Sequence, residues 1–177
     1  MQEIKAVIGY PVKKCHNAWQ VLLAIKQRGV ANGLRMPPGG KLNPGETNEE
    51  AMLRELSEEL RMIAESDDLE DTGILFVRYY QNNHLFQSWK IKIFLIHGWT
   101  GIPTDTKEMK DPRWFTFRNR HQHDLPIDQM PNGDELFSLK IFSGRKIGLS
   151  LDYNIEDMTL RRQPHISFEI NRLARPR

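Results

Sequence analysis

Three glutamates, Glu55, Glu58 and Glu59, follow directly on Arg54 in the run Arg54-Glu-Leu-Ser-Glu-Glu-Leu-Arg-Met62. On a helix turning about 100° per residue, these carboxylates share one face. Like charges at that spacing repel, and each pair costs a helix about 0.2–0.5 kcal/mol unless something neutralises it. A divalent cation would neutralise all three. Hard carboxylate oxygens suit Mg²⁺ or Mn²⁺, ions that keep several waters and engage substrates through phosphate oxygens. The substrate such a site implies is a phosphate ester or anhydride. A solvated acidic face is the plain alternative for any Glu-rich helix.

The elements that must position these groups are legible around them. Thr47 with Glu50 three residues later forms a capping box, and Ala51 to Met62 contains no Gly or Pro, so a helix is expected there. Leu53, Leu56, Leu60 and Ile63 make its apolar stripe. Lys5 to Val12 and Trp19 to Lys26 read as buried strands, and Gly29 to Gly40 as a loop rich in Gly and Pro that delivers the chain into the glycine turn before the helix. Gly73 to Tyr80 and Leu85 to Trp99 read as a hairpin turning at Gln81-Asn82-Asn83-His84. Arg113 to Phe117 is a short strand and Gly133 to Phe142 a second helix. Lys146 to Asp152 and Thr159 to Arg162 form a last hairpin. Mixed strands around two helices give an α/β layered class.

Taken with Gly40 and Glu46, the acidic run resembles the signature of the Nudix hydrolase family: glycine, five residues, glutamate, seven residues, Arg-Glu-apolar-any-Glu-Glu-any-Gly-apolar. One position departs, Arg61 standing where the family has glycine, and the expected consequence is a slightly longer helix. The resemblance implies an α/β/α sandwich with a mixed β-sheet over residues 1–177 and a Mg²⁺-dependent hydrolase, with Mn²⁺ as an alternative ion. It implies metal ligation by Glu55, Glu58 and Glu59 with the Gly40 carbonyl, and a distant loop carboxylate for which Glu108 is the candidate. Arg54 would orient Glu58, while Glu46 would hold the loop or serve the metals. Lys26, Arg28 and Lys41 bracket the glycine turn, where cations complement phosphate oxygens.

A wider likeness, from Val21 to Asp152, is to the MutT-type oxidised-purine nucleoside triphosphatases, carried by Val21-Leu-Leu-Ala-Ile-Lys-Gln-Arg-Gly, Gly39-Gly40-Lys41, Glu108-Met109, Trp114-Phe115 and Met130-Pro-Asn-Gly-Asp. It implies cleavage of a nucleoside triphosphate such as 8-oxo-dGTP to monophosphate and pyrophosphate. The base-reading positions depart from that group: Met36 replaces an Asn, and Met130-Pro131-Asn132-Gly133, with Asp134 one place further on, replaces Trp-Pro-Asp-Asp. Asn132 and Asp134 are candidates both for a base edge and for capping the helix that starts there. Dinucleoside polyphosphates, for which Tyr79 and Tyr80 are the relevant residues, and nucleotide sugars are alternative substrates. A nucleotide-binding module without catalysis is the alternative outside enzymes.

Composition bounds the partners. A net charge of +2 argues against a nucleic-acid polymer, and the basic run Arg172 to Arg177 reads as a solvated tail. No apolar stretch of membrane-spanning length and no basic-then-apolar leader is visible, which with the single Cys15, read as a packing residue, suggests a cytoplasmic protein. The expected partner is a small nucleotide, bound by a monomer or homodimer.

Overall fold

The apolar runs of the sequence become strands longer than their most apolar stretches. The computed structural model describes residues 3–171. Along them run β1 (Ile4–Cys15), β2 (Ala18–Lys26), β3 (Arg35–Met36), β4 (Gly39–Lys41), α1 (Asn48–Leu60), β5 (Leu69–Gln81) and β6 (His84–Ile96). There follow β7 (Met109–Asn119), β8 (Gln122–His123), α2 (Asp134–Phe142), β9 (Arg145–Asn154) and β10 (His165–Asn171). The strands join in the order β10-β9-β5-β6-β1-β2-β7-β8, with β3 beside β2 and β4 beside β1. The sheet is mixed, because β1 with β6 and β5 with β9 run parallel while the other pairs are antiparallel.

Side-chain alternation along β6 sorts the core into two layers. Ile93 and Leu95 pack with Phe137 and Ile141 of α2, whereas Phe94 and Ile96 pack with Met52, Leu56 and Leu60 of α1. The two helices therefore cover opposite faces, giving the α/β/α sandwich. Among the described residues, no helix is long and apolar enough to cross a membrane.

The capping box at Thr47 forms in full: the Glu50 N–H donates to Thr47 Oγ1 at 3.1 Å and the Thr47 N–H to Glu50 Oε2 at 2.8 Å. At the other end the expectation of a longer helix fails. Arg61 ends it in the left-handed conformation, φ 60°, ψ 29°, doing with a side chain what glycine does without strain. The turn sends Met62 into the core but leaves Ile63 60% exposed, so the buried stripe is Met52, Leu56 and Leu60 rather than one ending at Ile63.

The central hairpin turns on Asn82 and Asn83, both with positive φ (47° and 64°), as a two-residue primed turn requires. Its second strand stops at Ile96, short of Trp99. The last hairpin is corrected: β9 pairs with β10, while of Thr159 to Arg162 only Leu160 makes an isolated bridge, to Tyr153. Cys15 is half-buried, with its Sγ 3.5 Å from Nδ1 of His16. The basic run from Arg172 to Arg177 lies outside the described residues.

Candidate active site

A cleft of about 730 Å³ opens between the glycine turn, the acidic face of α1 and the α2 side of the sheet. Glycine is needed where these meet: a Cβ on Gly39 would strike the main chain of Val7 and Ile8, and one on Gly40 would enter the space of the Glu55 carboxylate.

Arg54 is the hub of the acidic end. Its Nε and Nη2 donate to the two oxygens of Glu46 at 2.8 and 3.0 Å, its Nη1 to Glu55 at 2.7 Å and Glu58 at 3.2 Å, and its Nη2 also to the Lys41 carbonyl at 3.0 Å. Glu46 in turn accepts the Asn43 N–H at 2.7 Å, so it holds the loop leading into α1. The guanidinium thus orients three carboxylates and pins the glycine turn at once. Its bonds to Glu46 and Glu55 raise its own pKa, whereas Arg54 and the Asn43 N–H lower that of Glu46.

The three glutamates differ in depth. The side chain of Glu59 is 1% exposed and that of Glu58 56%, with Glu55 buried between them. Glu59 accepts the Gly39 N–H at 2.8 Å and Lys26 Nζ at 3.0 Å. Burial raises the pKa of both Glu55 and Glu59, and the cations beside them only partly offset it. Both carboxylates are held where extra positive charge would lower their energy.

A main-chain tether brings Glu108 to the same cleft: its carbonyl accepts the Gln27 N–H at 2.8 Å, and its carboxylate pairs with Arg28. Thr106, which belongs to no motif in the sequence, ties that loop to α1 by donating to the Glu59 carbonyl at 3.0 Å while accepting the N–H groups of Glu108 and Met109.

The far end of the cleft is aromatic. Tyr79 stacks on Tyr153 at 5.8 Å, with Trp89 edge-on at 6.5 Å, and Lys41 Nζ lies 5.1 Å from the Trp89 ring centre. Asp134 lines this end, only 6% exposed, and its carboxyl makes no hydrogen bond among the described residues. Burial, with a smaller push from Glu135, raises its pKa well above the ordinary value. The capping role expected for Asp134 is not taken: Gly133, φ 90°, is the N-cap, and no side chain caps α2.

Lys26, Arg28, Met36, Gly39, Gly40 and Lys41 line the cleft, as do Arg54, Glu55, Glu58, Glu59, Glu108 and Asp134. Met130 and Asn132 do not. Met130 is 4% exposed in the apolar core, and the Asn132 side chain turns away to donate to the Met158 carbonyl at 3.2 Å.

Among the described residues, no three His, Cys, Asp or Glu side chains are already gathered as a ligand set. Glu55 is engaged by Arg54 and Glu59 by Lys26. The donor set nonetheless fits a hard divalent ion, being carboxylate oxygens on one helix face, two of them desolvated and short of positive charge.

The model of the NUDIX domain matches residues 5–133, the span that carries this cleft's acidic end. The chain belongs to the Nudix family. The oxidized purine nucleoside triphosphate hydrolase of Danio rerio is 32% identical over 73% of this chain and 76% of its own length. That of Mus musculus is 32% identical over 65% of this chain and 64% of its own. The crystal structure of the MutT mutator protein from Bacillus halodurans superposes with a TM-score of 0.72 at 23% identity, covering 93% of this chain and 97% of that one. The protein is accordingly a Nudix pyrophosphohydrolase. Hydrolases of this family generally use divalent metal ions.

Proposed function

We propose that this Nudix enzyme hydrolyses a nucleoside triphosphate, with an oxidised purine such as 8-oxo-dGTP foremost, to the monophosphate and pyrophosphate with Mg²⁺. The observation that carries this reading is the two-ended cleft: acidic and cationic groups at α1, and at the other end an aromatic wall with the Asp134 carboxyl, which makes no hydrogen bond among the described residues. The names of the two vertebrate relatives support the substrate class.

Glu55, Glu58 and Glu59, with the Gly40 carbonyl and Glu108, would hold Mg²⁺, or Mn²⁺ in its place. When bound, the ion neutralises phosphate charge and makes a coordinated water more acidic. Arg54 fixes the rotamers of Glu55 and Glu58, so their oxygens are presented without reorganisation. Lys26, Arg28 and Lys41 supply positive charge along the phosphate path, which a polyanion needs before water can approach phosphorus in line. Met36, whose thioether donates no hydrogen bond and accepts only weakly, offers the base an apolar contact at the turn, with Gly39 allowing close approach. Asp134 reads the base edge, its raised pKa favouring a carboxylic acid that donates one hydrogen bond and accepts another.

The test is chromatographic product analysis of 8-oxo-dGTP, dGTP, dATP, a diadenosine polyphosphate and ADP-ribose with Mg²⁺. Monophosphate plus pyrophosphate from the oxidised purine is expected, reduced about 10²–10⁴-fold in Glu58→Gln. Cleavage of the dinucleotide or nucleotide sugar alone would overturn the substrate assignment.

A further inference from the structure

Arg35 is a buried arginine that the chemistry above does not use. Only 4% exposed, it lies on β3 just before Met36, and its fork reaches two distant segments. Nε donates to Gln129 Oε1 at 3.1 Å, Nη1 to the Asp111 carbonyl at 3.0 Å and Nη2 to the Asp111 carboxylate at 2.5 Å. The Phe115 ring lies 5.4 Å from its guanidinium carbon.

Each segment so gripped leads to the cleft. Asp111 holds a positive φ of 51° where the pairing of β2 with β7 shifts register, three residues beyond Glu108. Gln129 stands directly before Met130-Pro-Asn-Gly-Asp134, whose Asn132 carbonyl accepts the Tyr153 hydroxyl at 2.5 Å. The stretch carrying Asp134 is thus fixed from one side by Arg35 and from the other by Tyr153. Arg35 is desolvated while the Asp111 side chain it pairs with stays 39% exposed, so the pair returns little Coulombic energy for the burial, and a fork engaged on two segments points to geometry more than to stability.

We propose that Arg35 is a positioning residue for base discrimination, fixing the segment from Gln129 to Asp134 relative to the glycine turn and so setting where the Asp134 carboxyl stands. The inference rests on Asp134 being the base-reading group. Arg35→Lys keeps the charge and loses the fork; Gln129→Ala removes only the arm to the base side.

The experiment measures kcat and KM for 8-oxo-dGTP, dGTP and dATP in wild type, both variants and Asp134→Asn, with melting temperatures alongside. The ratio of kcat/KM between best and worst base should fall about tenfold in Arg35→Lys, and in the same direction in Gln129→Ala, through KM, with kcat nearly constant. Should Arg35→Lys not fold, Gln129→Ala carries the test. An unchanged ratio in the variants alongside a collapsed one in Asp134→Asn would overturn the positioning role and keep the base reading. An unchanged ratio in Asp134→Asn would remove the base reading and the proposal with it. A loss of kcat equal for all bases would mark Arg35 as structural support only and overturn the proposal.

Discussion

Asp134 sets burial against a helix terminus. As the first residue of α2 its carboxylate would gain from the positive end of the helix dipole, about 0.3–1 kcal/mol in exposed settings, yet desolvation dominates and its pKa rises. The folded protein therefore binds this proton more tightly than the unfolded chain does. The group's contribution to stability is full below the ordinary carboxylate pKa, falls as pH rises toward the raised folded value, and is flat above it. Asp134→Asn should remove that slope and make the free enzyme more stable at neutral pH than the wild type. Urea melts of both proteins from acid to neutral pH measure the difference; parallel curves would mean that the carboxyl is not held in a desolvated place. The same substitution should weaken base discrimination, so a gain in stability would accompany a loss of selectivity.

At the scale of elements, α1 is where local sequence and tertiary demand disagree. Arg61 continues a good helical pattern, but Met62 must enter the core, and the chain turns by placing an arginine at φ 60°. Arg61→Gly should relieve about 1 kcal/mol of left-handed strain and raise the melting temperature by about 2–4 °C without altering turnover. A lower melting temperature would show that the Arg61 side chain contributes more than its backbone costs. The case marks the limit of what the sequence could disclose: the capping box at Thr47 depends on residues three apart and was legible, whereas the helix end depends on where the core lies. The site divides the same way. Arg54, Glu55, Glu58 and Glu59 lie within one turn and a half of helix, so their spacing announced them. Tyr79, Trp89 and Tyr153 come from β5, β6 and β9, and meet because register sets Tyr79 beside Tyr153 and Gln87. The strand β10 carries no local signal for a related reason, since its pairing with β9 is a long-range choice made beyond Pro164.

In the whole molecule, the acidic end of the cleft holds its own internal cations. Lys26 comes from the end of β2 and Glu59 from α1, and their contact at 3.0 Å joins the sheet to the helix at a carboxylate whose burial its cation only partly offsets. Removing one partner of such a pair leaves a buried carboxylate uncompensated, which costs about 3–5 kcal/mol. Lys26→Gln should therefore lower the melting temperature of the metal-free enzyme. If Glu59 faces the Mg²⁺ site, the ion should recover part of that loss. By mass action, a ligand stabilises in proportion to its preference for the folded form, so Mg²⁺ alone, without nucleotide, should raise the melting temperature more in Lys26→Gln than in wild type. Equal shifts in the two proteins would place the ion away from Glu59, and a smaller shift in the variant would make Lys26 a support of the metal site instead of its competitor. Because the readout is stability, the result does not depend on which nucleotide the enzyme prefers: it tests whether the ion pair that closes α1 onto the sheet occupies the place a metal takes.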